Sequence, residues 1–577
     1  MKWGFIPVRR IVDEDENGNF IDEPVASSDA KEFVTDVSST DSAEEYEYRD
    51  EKGRPWWKFF DEYEYRVTSK VKSQRKWYKW FADSDTPEEK KLISKVDILL
   101  VFYSLMAYIV KYLSQQNIVN TYIGGLREDI NMQGNDLVDT QIMFSIGHIV
   151  FQIPFMYILY AWPLSYVLPG LEIGWAILTC CAALVKNANQ LKAVRFLTGS
   201  LEAPAYIAYH ALFASWYKAS TGEISRRAGI YYLGQYLGLL TSGLLSGAIA
   251  RSLGGVGGYA AWQWIFMIDG FICLFVAFLG FYMIPGTPQD CYSAFLTDDD
   301  IRVARRRMKA DQKSSKPREN PTKQFFDLKI WKKIFSSWHF YVLALWNTFC
   351  WNNSNGNSGA YALWLKSLTN TDGTPRYGEG QVQDMTALTP GLGLIWLILV
   401  CSFADLFQSR WGAILFSQVF NVLGNVLLAV WYIPEGAKWF AFCLQYFGWA
   451  MAPVLYSWQG DICRRDIRER NVILVSMNMV AQQSTAWISK LVWATVEAPR
   501  FLKGFTFTAC SGFSLCIWTM LVLYLYKREE KAHAQENGII IYDSSKQDLE
   551  EVQRNLETDS VERVEEIVVD TEKSDKN

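Results

Sequence analysis

No two of the ten cysteines stand in Cys-x-x-Cys spacing, so neither a zinc site nor a disulfide framework is expected. There is no phosphate loop, no nucleotide-binding glycine pattern and no nucleophile elbow. These absences exclude nucleotide hydrolysis as an energy source and leave no catalytic constellation, so an enzyme is not expected. His148 and His210 are isolated within apolar runs, which fits helix packing rather than metal binding. No cofactor and no metal are implied. No basic-then-apolar leader opens the chain, so its first apolar run is expected to act as the targeting signal. The net charge of −5 is small and sits mostly in the tails, which gives no reason to expect a nucleic-acid partner.

Half of the residues are hydrophobic and 15% are aromatic. They gather in blocks of about 20 between Ile93 and Tyr526, the length that crosses a bilayer as a helix. The expected spans are 95–116, 138–161, 166–186, 192–216, 227–250 and 263–284, then 338–362, 384–405, 411–432, 437–458, 471–493 and 504–526. The fold class is therefore an all-α polytopic membrane protein of 12 transmembrane helices in two six-helix bundles. The expected divisions are a mostly disordered tail (1–92), a first bundle (93–286), a basic loop (287–336), a second bundle (337–526) and a hydrophilic tail (527–577). In the first tail, Arg54 to Val67 alternates aromatics with charges. That stretch fits a short helix on the membrane face or against the protein body, or else a docking site for a partner.

Lys and Arg on short loops set orientation. Lys218, Arg226 and Arg227, the central loop and CRRDIRER all fall on one side together with both termini, so that side is expected to be cytoplasmic. Two bundles joined by a long cytoplasmic loop is the plan of transporters that rock around a site at mid-membrane.

The run RFLTGSLEAPAYIAYHALFASWY, Arg195 to Tyr217, is long and apolar yet carries a carboxylate. A charge at the centre of a helix in lipid costs roughly 2.5–3.5 kcal/mol. Glu202 must therefore face a partner or a wet cavity. Arg195 lies seven residues earlier, on the same face about 10 Å away along the axis, and Pro204 invites a kink just past the carboxylate. Glu202 either exchanges a proton or stays a permanent partner for a base. Lys111 in the first span either snorkels to the surface or pairs with Glu202 or an anionic substrate. The turn after it holds Asn117 and Asn120. The seventh span is broken by asparagines, Asn352 and Asn353 among them. Broken backbone at membrane depth is tolerated where it lines a cavity or packs in protein, the alternative being an early exit into an outer loop. Asn478, Gln482 and Gln483 cluster in the eleventh span, where amides can bind a polar solute.

RFLTGSLEAP followed by ASWY, GGYAAWQWIFMIDG, FLTDDDIRVAR and APVLYSWQGD occur in that order. Together they resemble the fungal allantoate permease family, in the anion:cation symporter branch of the major facilitators. RPWWKFFDEYEYRV, FCWNNSNGNSGAYALWLKSL and NGIIIYDSS are similar to the subgroup holding the yeast biotin and ethionine-sulfoxide permeases. The resemblance implies a plasma-membrane symporter for a vitamin, ureide or amino-acid derivative such as a sulfoxide. Proton as coupling ion, both termini cytoplasmic and a monomer in the lipid bilayer complete the expectation. Where the family's first span has Asp and Arg, this chain has Ser114 and Gln115, so carboxylate recognition does not carry over there: either Lys111 takes the arginine's place as the anchor for an anion, or the substrate is zwitterionic. SFADLFQSR keeps part of the family's inner-gate pattern, with Asp405 and Arg410 as the gating residues. A nutrient sensor with a transporter fold and a passive uniporter are the rival readings.

Overall fold

The computed structural model describes residues 46–67, 80, 81, 85–218, 223–291, 293–312, 328–465 and 467–546. Much of the first tail, for which disorder is expected, the end of the hydrophilic second tail and residues 313–327 of the central loop lie outside them. Two compact units are present, the membrane-spanning body from Tyr78 to Val522 and a smaller unit in which the tail before Trp77 meets the chain after Leu523.

The body opens with α1 (Pro87–Asp129), a 43-residue helix. Thr86 caps it reciprocally: Glu89 N–H donates to Thr86 Oγ1 at 3.2 Å and Thr86 N–H to Glu89 Oε2 at 3.0 Å. Pro87 takes the first helical position, where its missing donor costs nothing. Then follow α2 (Asp136–Ala161), α3 (Leu164–Ala182), α4 (Ala188–Glu202), α5 (Ala205–Trp216), α6 (Glu223–Ser252) and α7 (Ala261–Met283). Pro204 divides α4 from α5 directly after Glu202. Gly199 and Gly147 let α4 and α2 touch: a Cβ on Gly199 would meet Phe144 O at 2.1 Å, and one on Gly147 would meet Phe196 O at 2.2 Å. Small residues set such contacts between apolar helices. One face of α7 carries exposed Phe271, Phe275, Phe278 and Tyr282 while its opposite face is buried, the stripe expected of a helix against lipid.

The segment read as a charged loop begins with a docked helix, α8 (Asp298–Gln312), followed by α9 (Leu328–Ser336). Lys95 Nζ bonds Asp300 at 2.5 Å, and buried Arg307 lies 3.5 Å from Asp85 and against Glu223. The second half comprises α10 (Trp338–Trp351), α11 (Ala360–Lys366), α12 (Glu379–Leu406), α13 (Arg410–Val430), α14 (Glu435–Cys443), α15 (Phe447–Ala450), α16 (Ala452–Ile462), α17 (Ile467–Val492) and α18 (Leu502–Ala532). Among the described residues, seven helices are long and apolar enough to cross a membrane. The fourth, seventh and tenth expected spans are instead split, into α4–α5, α10–α11 and α14–α16.

The smaller unit departs from the all-helical expectation. β1 (Glu47–Asp50) pairs in parallel with β2 (Ile539–Tyr542), Glu47 opposite Ile539. Arg54 to Val67 forms one short 3₁₀ turn, Trp56–Phe60, packed on the end of α18. Lys527 Nζ donates to Lys58 O and Phe59 O and pairs with Glu64, which Arg54 also clasps through two 2.7 Å bonds. Arg66 reaches Glu530 at 3.0 Å. Burial alone would raise the Glu64 carboxyl, but the bonds from Arg54 and Lys527 outweigh it and hold the group below its ordinary 4.5. A carboxyl lowered by docking contributes stability above 4.5 and loses it as pH falls through its docked value. Acidification below 4.5 is therefore expected to release this clasp, read as faster amide hydrogen exchange over 54–66. Glu64→Gln is expected to exchange fast already at neutral pH. An exchange pattern unchanged by acid would refute the linkage.

Candidate functional site

Lys111 and Glu202 meet in the middle of the first half. Lys111 Nζ lies 3.1 Å from Glu202 Oε1, and both side chains are buried, at 8% and 2% exposed. Gln115 Nε2 donates to the same carboxylate oxygen at 2.7 Å. Gln115 stands where the resembling family has arginine, so here an amide supplies the hydrogen bond and the lysine one helical turn earlier supplies the charge. The pair replaces the snorkelling alternative for Lys111. Arg195 is also buried and stacks its guanidinium 4.6 Å over the Phe144 ring. It faces both Glu202 and Asp269, and its Nε has no hydrogen-bond partner.

The pair borders a group of tyrosines, of which the sequence places Tyr206 near the stripe of Glu202 and leaves Tyr112, Tyr232 and Tyr456 unmarked. Tyr112, Tyr206 and Tyr232 of the first half and Tyr456 of the second are enclosed by protein yet keep accessible surface. Side chains that are enclosed and yet accessible border internal space, and the space beside these tyrosines is the candidate opening. Tyr456 is within electrostatic reach of Tyr206 and Tyr232, so the two halves face each other across it. Tyr108 stacks on Tyr231 at 4.0 Å, and the Lys111 ammonium sits 5.8 Å from the Tyr108 ring. The repeats Tyr108/Tyr112 and Tyr231/Tyr232 were visible in the sequence, but aromatic stripes in apolar helices usually signify packing.

The second half contributes a fixed amide framework. Asn478 Oδ1 accepts from Tyr456 OH at 2.8 Å and from Asn347 Nδ2 at 3.1 Å. Asn352 Nδ2 donates to Ser484 Oγ at 2.8 Å. Asn353 Nδ2 donates to Gln418 Oε1 at 3.1 Å, and its backbone carbonyl accepts from Asn421 at 2.8 Å. The break in the seventh span is thus packed inside protein rather than being an exit, although Asn347, Asn353 and Asn355 each keep a buried side-chain oxygen without a partner. Gln482 keeps a buried carbonyl without a partner. Gln483 does not join it: it lies on the exposed stripe with Val480, Trp487 and Leu491, because one residue turns a helical side chain by about 100°. Asn117 and Asn120 are likewise displaced from the opening. Both are buried in the seam between α1 and α6, where Ser242 Oγ donates to Asn117 at 2.7 Å and accepts from Asn120 at 2.9 Å.

The pattern of the Major Facilitator Superfamily matches residues 104–489. The chain belongs to the major facilitator superfamily. It is 39% identical to the Vitamin H transporter of Saccharomyces cerevisiae, over 94% of this chain and 93% of that one. It is 28% identical to the Pantothenate transporter liz1 of Schizosaccharomyces pombe, over 77% and 84%. Its fold is similar to the xylose transporter XylE from E. coli in a partially occluded inward open conformation, with TM-score 0.54 at 11% identity, over 73% and 97%. It is a multi-pass membrane transporter of small organic solutes, not an enzyme.

In this major facilitator the end of the body carrying the loop between α1 and α2 is sealed. Ile123, Leu126 and Phe266 of the first half pack in one apolar cluster with Tyr361, Trp364 and Val382 of the second. Gln383 Nε2 donates to Asn120 O at 3.0 Å, Lys490 Nζ pairs with Asp139 at 2.9 Å and Arg251 pairs with Asp384. At the opposite end, Arg410 Nη1 bonds Asp461 at 2.9 Å, within its own half. Asp405 is exposed and within electrostatic reach of Arg226 of the first half.

Proposed function

We propose that this transporter imports a small carboxylate, with a proton, by alternating access across the plasma membrane. It works as a monomer with both termini cytoplasmic. The observation that carries the reading is the buried Lys111–Glu202 pair beside the half-buried tyrosines at which the two halves approach each other. A cation at that depth needs an anion. Glu202 fills that role when no substrate is present, and a substrate carboxylate competes for the same ammonium. The tyrosine wall covers the apolar body of the solute, and the amides around Asn478 and Asn352 meet its polar groups. The names of the similar yeast proteins support the class, since vitamin H and pantothenate are both small monocarboxylic acids. Lys111 and Arg195 supply the positive field, Glu202 the competing charge, and Asp405 and Arg410 belong to the inner gate.

Radiolabelled uptake of biotin, pantothenate, nicotinate, allantoate and methionine sulfoxide tests this in cells lacking their own permeases, with and without a protonophore. Saturable uptake of a carboxylate that collapses with the proton gradient is expected. Uptake of neutral solutes alone, or uptake indifferent to the protonophore, would overturn the reading. Glu202→Gln removes the competitor for Lys111. Its KM for the carboxylate substrate is expected to fall several-fold. Its maximal rate is expected to fall as well, because the anion is released slowly. A raised KM would contradict the competition.

A further inference from the structure

We propose that Glu172 is the group that carries the coupled proton. The inference rests on the proton-coupled reading above and names the residue that reading leaves open.

Glu172 is the acidic residue of α3, 2% exposed. Two phenols point at it: Tyr103 OH donates to Oε2 at 2.5 Å and Tyr209 OH to Oε1 at 2.6 Å. These come from α1 and α5. From α6 it faces Tyr231, and from α7 Cys273. None of these is a cation, and no salt bridge reaches Glu172 among the described residues.

The buried middle of the first half holds three carboxyls, Glu172, Glu202 and Asp269, and two cations, Lys111 and Arg195. Lys111 pairs with Glu202. Arg195 faces Glu202 and Asp269. His148 faces Lys111. Lys111 is thus paired elsewhere and Arg195 lies within electrostatic reach of the other two carboxyls, so full ionisation would leave one uncompensated negative charge in the core. An unpaired charge at this depth is costly, and a proton on Glu172 brings the sum to zero. Binding a substrate anion takes the unprotonated sum from −1 to −2 and so strengthens the hold on that proton, which couples the two.

The route to the opening is short. Tyr231 stands between the carboxyls: it faces both Glu172 and Glu202, and its buried hydroxyl has no hydrogen-bond partner. Its ring lies 5.6 Å from Tyr209 and 6.2 Å from Tyr206, which borders the opening. The proton arrives from water on the side of entry, forms the O–H bond on Glu172 and leaves to water in the opening once the other end is exposed. No electrons move.

The site is built for this group. A Cβ on Gly280 would meet Tyr103 OH at 2.2 Å, so the glycine keeps the space in which that phenol bonds the carboxylate.

The test uses the full chain in proteoliposomes, with the carboxylate found by the uptake screen. Wild-type protein is expected to accumulate it roughly tenfold per pH unit of imposed gradient for one proton, with alkalinisation outside. Glu172→Gln reproduces the protonated carboxyl in shape and neutrality. It is expected to keep counterflow exchange of labelled for unlabelled substrate while its accumulation ratio falls to unity and proton uptake disappears. Persistent proton-driven accumulation in Glu172→Gln overturns the inference. Loss of counterflow, by misfolding or by lost binding, also overturns it, because the variant mimics the loaded state. If the wild type itself accumulates nothing under a pH gradient, the proton-coupled reading fails, a result separate from either outcome in the variant.

Discussion

Lys111→Met is expected to lower uptake at least about 100-fold. Removing one partner of a buried ion pair costs about 3–5 kcal/mol because the other charge is left uncompensated, and about 3 kcal/mol already corresponds to a factor of more than 100. Part of that loss is structural. With Lys111 gone, Glu202 keeps only Gln115 among the close donors described, and the helices α1 and α4 lose the ion pair between them. Thermal stability in detergent is therefore expected to fall too. The double variant Lys111→Met with Glu202→Gln separates the two contributions. It buries no unpaired charge, so stability is expected to return to near the wild-type value. Uptake is expected to stay lost, because no ammonium remains for the substrate carboxylate. Wild-type uptake by the double variant would show that the pair only holds helices together, and the central site would have to be sought elsewhere.

The helical body was legible because its strongest signal, apolar runs of bilayer length, survives any uncertainty about packing. Glu202 was legible for the same reason: a carboxylate in such a run is expensive, so its setting must be special. Lys111 followed from the need for a counter-charge. What the sequence hid were facts of rotation and depth. Gln482 and Gln483 differ by one position, yet one turns inward and the other outward, and helical phase within a broken or apolar span has little amphipathic pattern to reveal it. Asn117 and Asn120 look like substrate ligands on α1, but serines on α6 claim them, a pairing across more than 120 residues. Glu172 sits in the same kind of apolar run as Glu202. It drew no notice because its partners, Tyr103 and Tyr209, are neutral and distant in sequence. The clasp between the tails was hidden for a different reason. Neither β1 nor β2 is long enough to announce itself, and Lys527 and Glu64 lie at opposite ends of the chain.

Gly247→Val is expected to hold the transporter open at the end sealed here. α6 and α12 are in contact at this position: a Cβ on Gly247 would lie 2.0 Å from Asp384 Oδ1 and 2.9 Å from Gly380 O, and one on Gly243 would lie 2.9 Å from Ala387 N. Asp384 cannot simply swing away, because Arg251 holds it. The backbone of α12 cannot yield without opening the apolar seal beside it, in which Val382 takes part. Overpacking of this kind costs about 1–3 kcal/mol. The cost falls only on the state in which the helices touch, so it moves the equilibrium roughly 5- to 150-fold toward the state in which they are apart. Thr386, buried under the seal, reports the change. A single cysteine placed there in a cysteine-free background should react slowly with an impermeant maleimide in the parent and quickly in Gly247→Val. Uptake should fall in parallel while binding from the unsealed side persists. Equal labelling rates in the two proteins would mean that this contact does not govern closure, and that alternation is set by the Arg226–Asp405 end instead.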